Sequence, residues 1–266
     1  MPNDEWTTGE VLAASKEWVW IPRGCTHART EEYLMVAPPE YMGLPVLVRV
    51  FGSQRPGGDL VDEVVAVARV WRKQRLSWRV SDGTVPTDLE RVLLRRGGVV
   101  DVHLVVMALP IADGIPDFGV PPDVVVREVT DEATLRDAYL VSGDAFGGES
   151  VTDERIDDDL EKLRTGLPEG PVGRVVAYVD GRPAGTAGWT LAGRVCRLWG
   201  GATHTGLRGR GAYRAVLAER LRMARAAGAT LGLSLGRVET SAPILRGLGF
   251  TRYGEEREVL LDVSRG

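Results

Sequence analysis

Two rhythms run along this chain, a period of two and a period near 3.6, and the second half shows their order most plainly. The stretch "GRVVAYVDGRPAGTAGWTLAGRVCRLWGGATH" reads as three strands, 175–179, 184–191 and 195–203. Asp180-Gly181 and Ala192-Gly193 supply the positive-φ positions that hairpin turns need. From 211 to 226, Ala212, Ala215, Val216, Ala218, Leu221 and Ala224 recur near helical spacing, with Arg214, Glu219, Arg222 and Arg225 between them and Gly228 ending the run. A short apolar strand, "TLGLSL", follows. Next comes a helix over 241–248, with Ser241 as N-cap and Pro243 in its first turn, and then a final strand pair around Phe250 and 259–263. This order of three strands, helix, strand, helix, strand predicts an α/β (mixed α+β) fold, a mixed sheet with helices on its faces.

The first half repeats the order at an offset of about 150 residues, the kind of self-similarity that marks a duplicated unit. "EYLMVA" and "VLVRVFG" read as strands, "DLVDEVVAVARVWRKQR" as a helix, "LSWRV" as a strand, "TDLERVLLRRGG" as a helix and "VDVHLVVMAL" as a strand. "TDLERVLLRRGGV" and "SAPILRGLGF" are each a capped short helix running through Leu and Arg into Gly and an apolar residue. Between the halves, "PIADGIPDFGVPPD" (110–123) has Pro and Gly without periodicity and reads as a linker. A boundary near Gly119 gives two domains, 1–119 and 120–266.

Composition narrows the function. With 266 residues and 44% apolar content there is core material for two small domains. The formal charge is −4, and Lys occurs only at Lys16, Lys73 and Lys162, so a basic nucleic-acid surface is not expected. Cys25 and Cys196 lack metal or disulfide spacing, which predicts two free thiols, a reducing compartment and no metal. The N-terminal "MPNDEWTTGE" has no apolar core, and the longest apolar run, 99–109, is broken by Asp101 and His103. A cytoplasmic protein without membrane contact is expected. Trp18, Trp20, Trp71, Trp78 and Trp189 read as core or interface residues.

The chemistry concentrates where strand 195–203 runs into "RGRGAY", Arg208-Gly209-Arg210-Gly211-Ala212-Tyr213, ahead of a helix. A glycine-rich turn feeding a helix start exposes free N–H groups at the positive end of the helix dipole, an anion site that bulky phosphates can approach closely. It matches neither G-x-x-x-x-G-K-[ST] nor a G-x-G-x-x-G after the first strand of a βαβ unit, which argues against ATP, GTP and NAD. The segment resembles the GNAT N-acetyltransferase superfamily, whose [QR]-x-x-G-x-[GA] loop holds the pyrophosphate of acetyl-CoA. Arg208 and Gly211 match, whereas Tyr213 stands where the family has Gly or Ala. "LGF" (248–250) and the strand order across 124–263 extend the likeness.

The resemblance implies two tandem GNAT-like domains, each a mixed, mostly antiparallel sheet flanked by helices, with acetyl-CoA or another acyl-CoA as co-substrate. Its bulged strand falls at Gly200-Gly201, a pair suited to a bulge. By resemblance, Trp199, Gly201, Ala202 and Thr203 line the thioester and pantetheine, while Arg208, Gly209, Arg210, Gly211, Ala212 and Tyr213 hold the diphosphate. The matching "GSQRPGGDLVDEV" of the first half is degenerate. Asp59 replaces the small residue with a carboxylate, and Pro56 removes an amide donor.

Acyl transfer from a thioester to an amine needs a deprotonated amine, oxyanion donors and a route for protonating the thiolate. The Tyr that serves as acid in many family members is Leu245 here; Tyr253 and Ser241 are the nearby alternatives. His204 is a base candidate at the end of the bulged strand, and Cys196 reads as a buried strand thiol. The acidic "SGDAFGGESVTDERIDDDLEKL" (142–163) is either a solvated helix face or a trap for a cationic amine. In the second case Glu149 or Asp153 accepts the proton, with Glu239, at the mouth of the cleft by resemblance, a further base. The acceptor expected is an aminosugar, an aminoglycoside-type antibiotic or a polyamine. A protein lysine or N-terminus as acceptor, and a non-catalytic acyl-CoA sensor, stay open, as do monomer and homodimer.

Overall fold

The computed structural model describes residues 6–264 apart from 20, 22, 23, 148–150 and 169. In chain order the elements are α1 (Thr8–Lys16), β1 (Thr26–Arg29), β2 (Tyr33–Ala37), β3 (Val46–Val50), α2 (Gly57–Val70), β4 (Arg75–Ser81), α3 (Leu89–Arg95), β5 (Val99–Pro110), β6 (Val124–Glu128), α4 (Glu132–Phe146), α5 (Asp153–Thr165), β7 (Val172–Val179), β8 (Arg182–Ala192), β9 (Val195–Thr203), α6 (Ala212–Ala226), β10 (Leu231–Arg237), α7 (Ser241–Gly247) and β11 (Thr251–Asp262). They fall into two compact units that interleave along the chain. One unit comprises Met1–Val11, Met107–Leu235 and Leu245–Thr251; the other comprises Leu12–Val106, Gly236–Ile244 and Arg252–Gly266.

In the unit built mainly from the second half, β6, β7, β8 and β9 pair antiparallel in sequence order, and β10 joins β9 in parallel. The period-two pattern decides the two faces. Val175, Ala177 and Val179 of β7 pack against Ala212, Ala215 and Val216 of α6, while Val176 and Tyr178 pack against Leu135, Ala138 and Ile156 of α4 and α5. Asp131 caps α4, its carboxylate accepting from the Thr134 N–H at 2.8 Å, and Thr152 caps α5. The stretch read as a linker is packed within this unit. Ile111 and Phe118 are buried, Arg225 Nε donates to the Ile111 carbonyl (2.9 Å), and Arg214 Nη1 donates to that of Gly119 (3.2 Å).

The other unit repeats the plan. β1, β2 and β3 pair antiparallel, α2 crosses over, and β4 returns parallel to β3, as β10 does to β9. Its core holds Trp78, Leu60, Val64, Leu76, Leu89 and Leu93. Here β11, from the far end of the chain, pairs antiparallel with β4 from Asp262↔Arg75 to Glu256↔Ser81 and adds Val259 and Leu261 to that core. β11 is one continuous strand where the sequence suggested two, and α1 and β1 are elements its pattern did not announce.

Among the described residues no helix is long and apolar enough to cross a membrane, and no cluster of His, Cys, Asp and Glu has metal-binding geometry.

Candidate active site at a bulged strand and an open helix start

Antiparallel pairing of β8 with β9 sets Thr186 opposite Ala202 and Gly188 opposite Trp199, so Gly200 and Gly201 together face Ala187. This is a β-bulge, and Gly200 at φ 61° takes the left-handed conformation that glycine adopts without penalty. On the other edge of β9, the parallel register with β10 ends at Leu198↔Ser234, one residue before the bulge. From Trp199 onward that edge of β9 is released from the ladder. The Trp199 indole lies across β8, its Nε1 donating to Thr190 Oγ1 (3.0 Å). Gly188 permits this, since a Cβ there would sit 2.2 Å from the ring. On the α6 side, a Cβ at Gly201 would come within 3.2 Å of the Tyr213 ring.

Beyond β9 the chain makes a tight turn (Thr205–Leu207) and enters α6 through Gly209 (φ 78°) and Gly211 (φ 84°). Gly211 is the N-cap and brings no side-chain acceptor, so the first-turn N–H groups of α6 have no cap from that residue. Arg208 is exposed and makes no hydrogen bond or ion pair among the described residues, while Arg210 Nη2 lies 3.4 Å from Asp123 and 3.3 Å from Asp180. A glycine-bounded helix start flanked by an exposed guanidinium suits a doubly charged phosphate group. At the matching start of α2 the place is filled from within: Asp88 Oδ1 accepts from the Gly57 N–H (3.0 Å), and Arg55 is bound to Glu32 and Glu63.

Several of the groups weighed as proton carriers are buried or bonded to the backbone. Leu245 is buried, so the position carries no acid. Ser241 Oγ accepts from the Arg237 N–H (2.8 Å) and serves the turn. Burial pushes the Cys196 thiol up to about 12, which rules out a thiolate nucleophile near neutral pH. His204 caps the turn, its Nδ1 accepting from the Gly206 N–H at 3.2 Å and lying 3.7 Å from Asp144. That bond engages Nδ1 with the backbone of the turn. Asp144 accepts from the Thr205 N–H (2.5 Å) and hydroxyl (3.1 Å), and the backbone bond in particular holds its carboxyl below the usual range.

Asp153 opens α5, exposed, with Arg136 of α4 as its partner at 2.5 Å. Glu239 lies on the exposed turn after β10, in the other compact unit, and Glu149 falls outside the described residues. Of the acidic segment, Asp158 and Asp159 share Lys162 and Glu161 binds Arg164. Exposed Glu154 and Asp157 make no ion pair among the described residues.

One residue of this region escaped the sequence pattern. Arg220 lies on the buried stripe of α6, one turn after Val216, where the spacing calls for an apolar side chain. Its position four residues beyond Val216 was the available signal.

No protein-family model matches the sequence, and no curated protein matches it. Solved structures do. A GCN5-related N-acetyltransferase from Kribbella flavida superposes with a TM-score of 0.66 at 19% identity, over 92% of this chain and 91% of that one. One from Sphaerobacter thermophilus gives 0.64 at 19% identity, over 89% and 82%. A tandem GNAT protein from the clavulanic acid biosynthesis pathway gives 0.63 at 16% identity, over 93% and 86%. At these identities the likeness is one of fold, and the chain has the tandem fold of the GCN5-related N-acetyltransferases.

Proposed function

We propose that the chain is an acyl-CoA-dependent N-acyltransferase whose working copy lies in the second half. The observation that carries this reading is the bulge at Gly200-Gly201 followed directly by the uncapped start of α6, set against the start of α2, which Asp88 fills. In this reading Arg208 and the first-turn amides of α6 bind the diphosphate, and the released edge of β9 from Trp199 to Thr203 receives the pantetheine. Backbone N–H groups at the bulge polarise the thioester carbonyl, and the amine attacks directly in a ternary complex. With Leu245 apolar, solvent protonates the departing thiolate.

The acceptor is a small cationic amine of the aminosugar, aminoglycoside or polyamine kind. Exposed Glu154 and Asp157 support it, and one carboxylate, Glu149 or Asp153, takes the ammonium proton directly or through water. The test is incubation of the pure protein with acetyl-CoA and aminosugars, aminoglycosides, polyamines or lysine peptides, reading free thiol and product mass. Glu149→Gln and Asp153→Asn are expected to raise the acceptor KM several-fold and to leave that for acetyl-CoA unchanged; unaltered acceptor kinetics in both would remove these two residues from the site. A second reading, acyl-CoA binding without turnover, is favoured by the apolar Leu245, and tight acetyl-CoA binding with no product from any acceptor would establish it.

A further inference from the structure

Arg220 is fully enclosed, and taking a guanidinium out of water is costly unless it is well bonded. Its partners are all carbonyls. Nε donates to the Val216 carbonyl of its own helix (3.2 Å), and Nη1 donates to the carbonyls of Gly188 on β8 (3.0 Å) and Trp199 on β9 (3.3 Å). The ionisable groups that act on it are Tyr213 and Cys196, and burial keeps both neutral. No carboxylate offsets the charge among these partners. Apolar residues fill the rest of this stripe, so a cation here needs a reason beyond packing.

The reason lies in the bulge. Gly188 and Trp199 are cross-strand partners, the last aligned pair before Gly200 and Gly201 disturb the ladder. A bulge leaves local carbonyls without ladder donors, and one forked donor from α6 holds both strands at that step. Because the peptide is trans, a Trp199 carbonyl turned toward Arg220 turns the N–H of Gly200 away from the helix. Nη2 reaches toward the same place, lying 4.0 Å from where a Cβ of Gly201 would be.

We propose that Arg220 is a positioning residue for the acyl-transfer reaction, fixing the bulge of β9 in the shape that receives the thioester and its pantetheine arm. This rests on the reading that acyl-CoA seats there. It separates two parts of one ligand: the diphosphate loop is independent of Arg220, and the bulge is not.

The test compares wild type with Arg220→Met, which removes both charge and donors, and with Arg220→Lys, which restores a cationic donor. Amide hydrogen exchange of 199–203 is read on the free protein, and binding of acetyl-CoA and of ADP, a diphosphate without the pantetheine arm, is read by calorimetry. Arg220→Met is expected to speed exchange at the bulge, weaken acetyl-CoA about ten-fold, spare ADP and lower kcat/KM about 100-fold, the scale of a displaced reacting group. Arg220→Lys is expected to recover part of each, and it carries the test alone if Arg220→Met does not fold. Unchanged exchange at 199–203 would overturn the role of Arg220 whether or not the protein binds acetyl-CoA. So would equal losses for acetyl-CoA and ADP, which mark a general loss of structure. A wild-type protein that ignores acetyl-CoA, with exchange at the bulge still dependent on Arg220, would instead overturn the acyltransferase reading on which the proposal rests.

Discussion

Gly211 meets two constraints at one position. Its φ of 84° is left-handed, and a Cβ would lie 2.4 Å from Pro121 Cδ in the ordered stretch before β6. Gly211→Ala therefore combines backbone strain of about 1–3 kcal/mol with an overlap against a rigid ring. A clear fall in Tm is expected, with loss of the loop's affinity for ADP. Gly201→Ala meets only the Tyr213 ring at 3.2 Å, which can shift, so a change of about 1 kcal/mol or less is expected from the same melting experiment. Equal effects of the two substitutions would mean that the loop is not held against Pro121. Much of this was legible in the chain: Gly200-Gly201 announces a bulge and Arg208 to Gly211 an anion loop, because glycine's uses are local. Arg220 was not, since its carbonyl partners come from two strands that local spacing cannot bring together.

At the scale of elements, the clearest dependence on a single side chain is where α4 and α5 meet. Asp159 is largely buried, which alone would raise its carboxyl. The Tyr139 hydroxyl, Lys162 Nζ (2.9 Å) and Arg155 Nε (3.0 Å) all donate to it, and together they hold it below the usual range. A carboxyl depressed in the folded state binds fewer protons there than when unfolded, near pKa 3.9, so its stabilisation is full above about pH 4 to 5 and is lost as the pH falls through the folded value. Asp159→Asn is expected to cost about 2–4 kcal/mol at pH 7 and to flatten the acid limb of a urea-unfolding series, as removing one member of a buried network does. An unchanged acid limb would contradict this. Most strands and the long helix α6 were readable from periodicity, whereas β6, α4 and α5 were not assigned from it. β11 was not read as one strand because Glu255, Glu256, Arg257 and Glu258 interrupt its apolar pattern. The charges are matched by partners distant in sequence, Arg79 to Glu258 (2.5 Å) and Arg257 to Glu90 (2.7 Å).

For the whole molecule, the duplicated order of elements was legible as a repeat, and both copies keep the parallel strand pair joined by a crossover helix. The destination of β11 was not, because a strand's own pattern says which face is buried and not which strand lies beside it. The two copies differ at the helix start. One is closed by Asp88, with Arg55 taken up by Glu32 and Glu63, and the other is open beside Arg208. Under the proposed function only the open one takes acyl-CoA. Calorimetric titration of acetyl-CoA into the wild type, Arg208→Glu and Arg55→Glu tests it most directly. One site per chain is expected, lost in Arg208→Glu and kept in Arg55→Glu. Two sites per chain, or a single site that survives Arg208→Glu and disappears in Arg55→Glu, would contradict it.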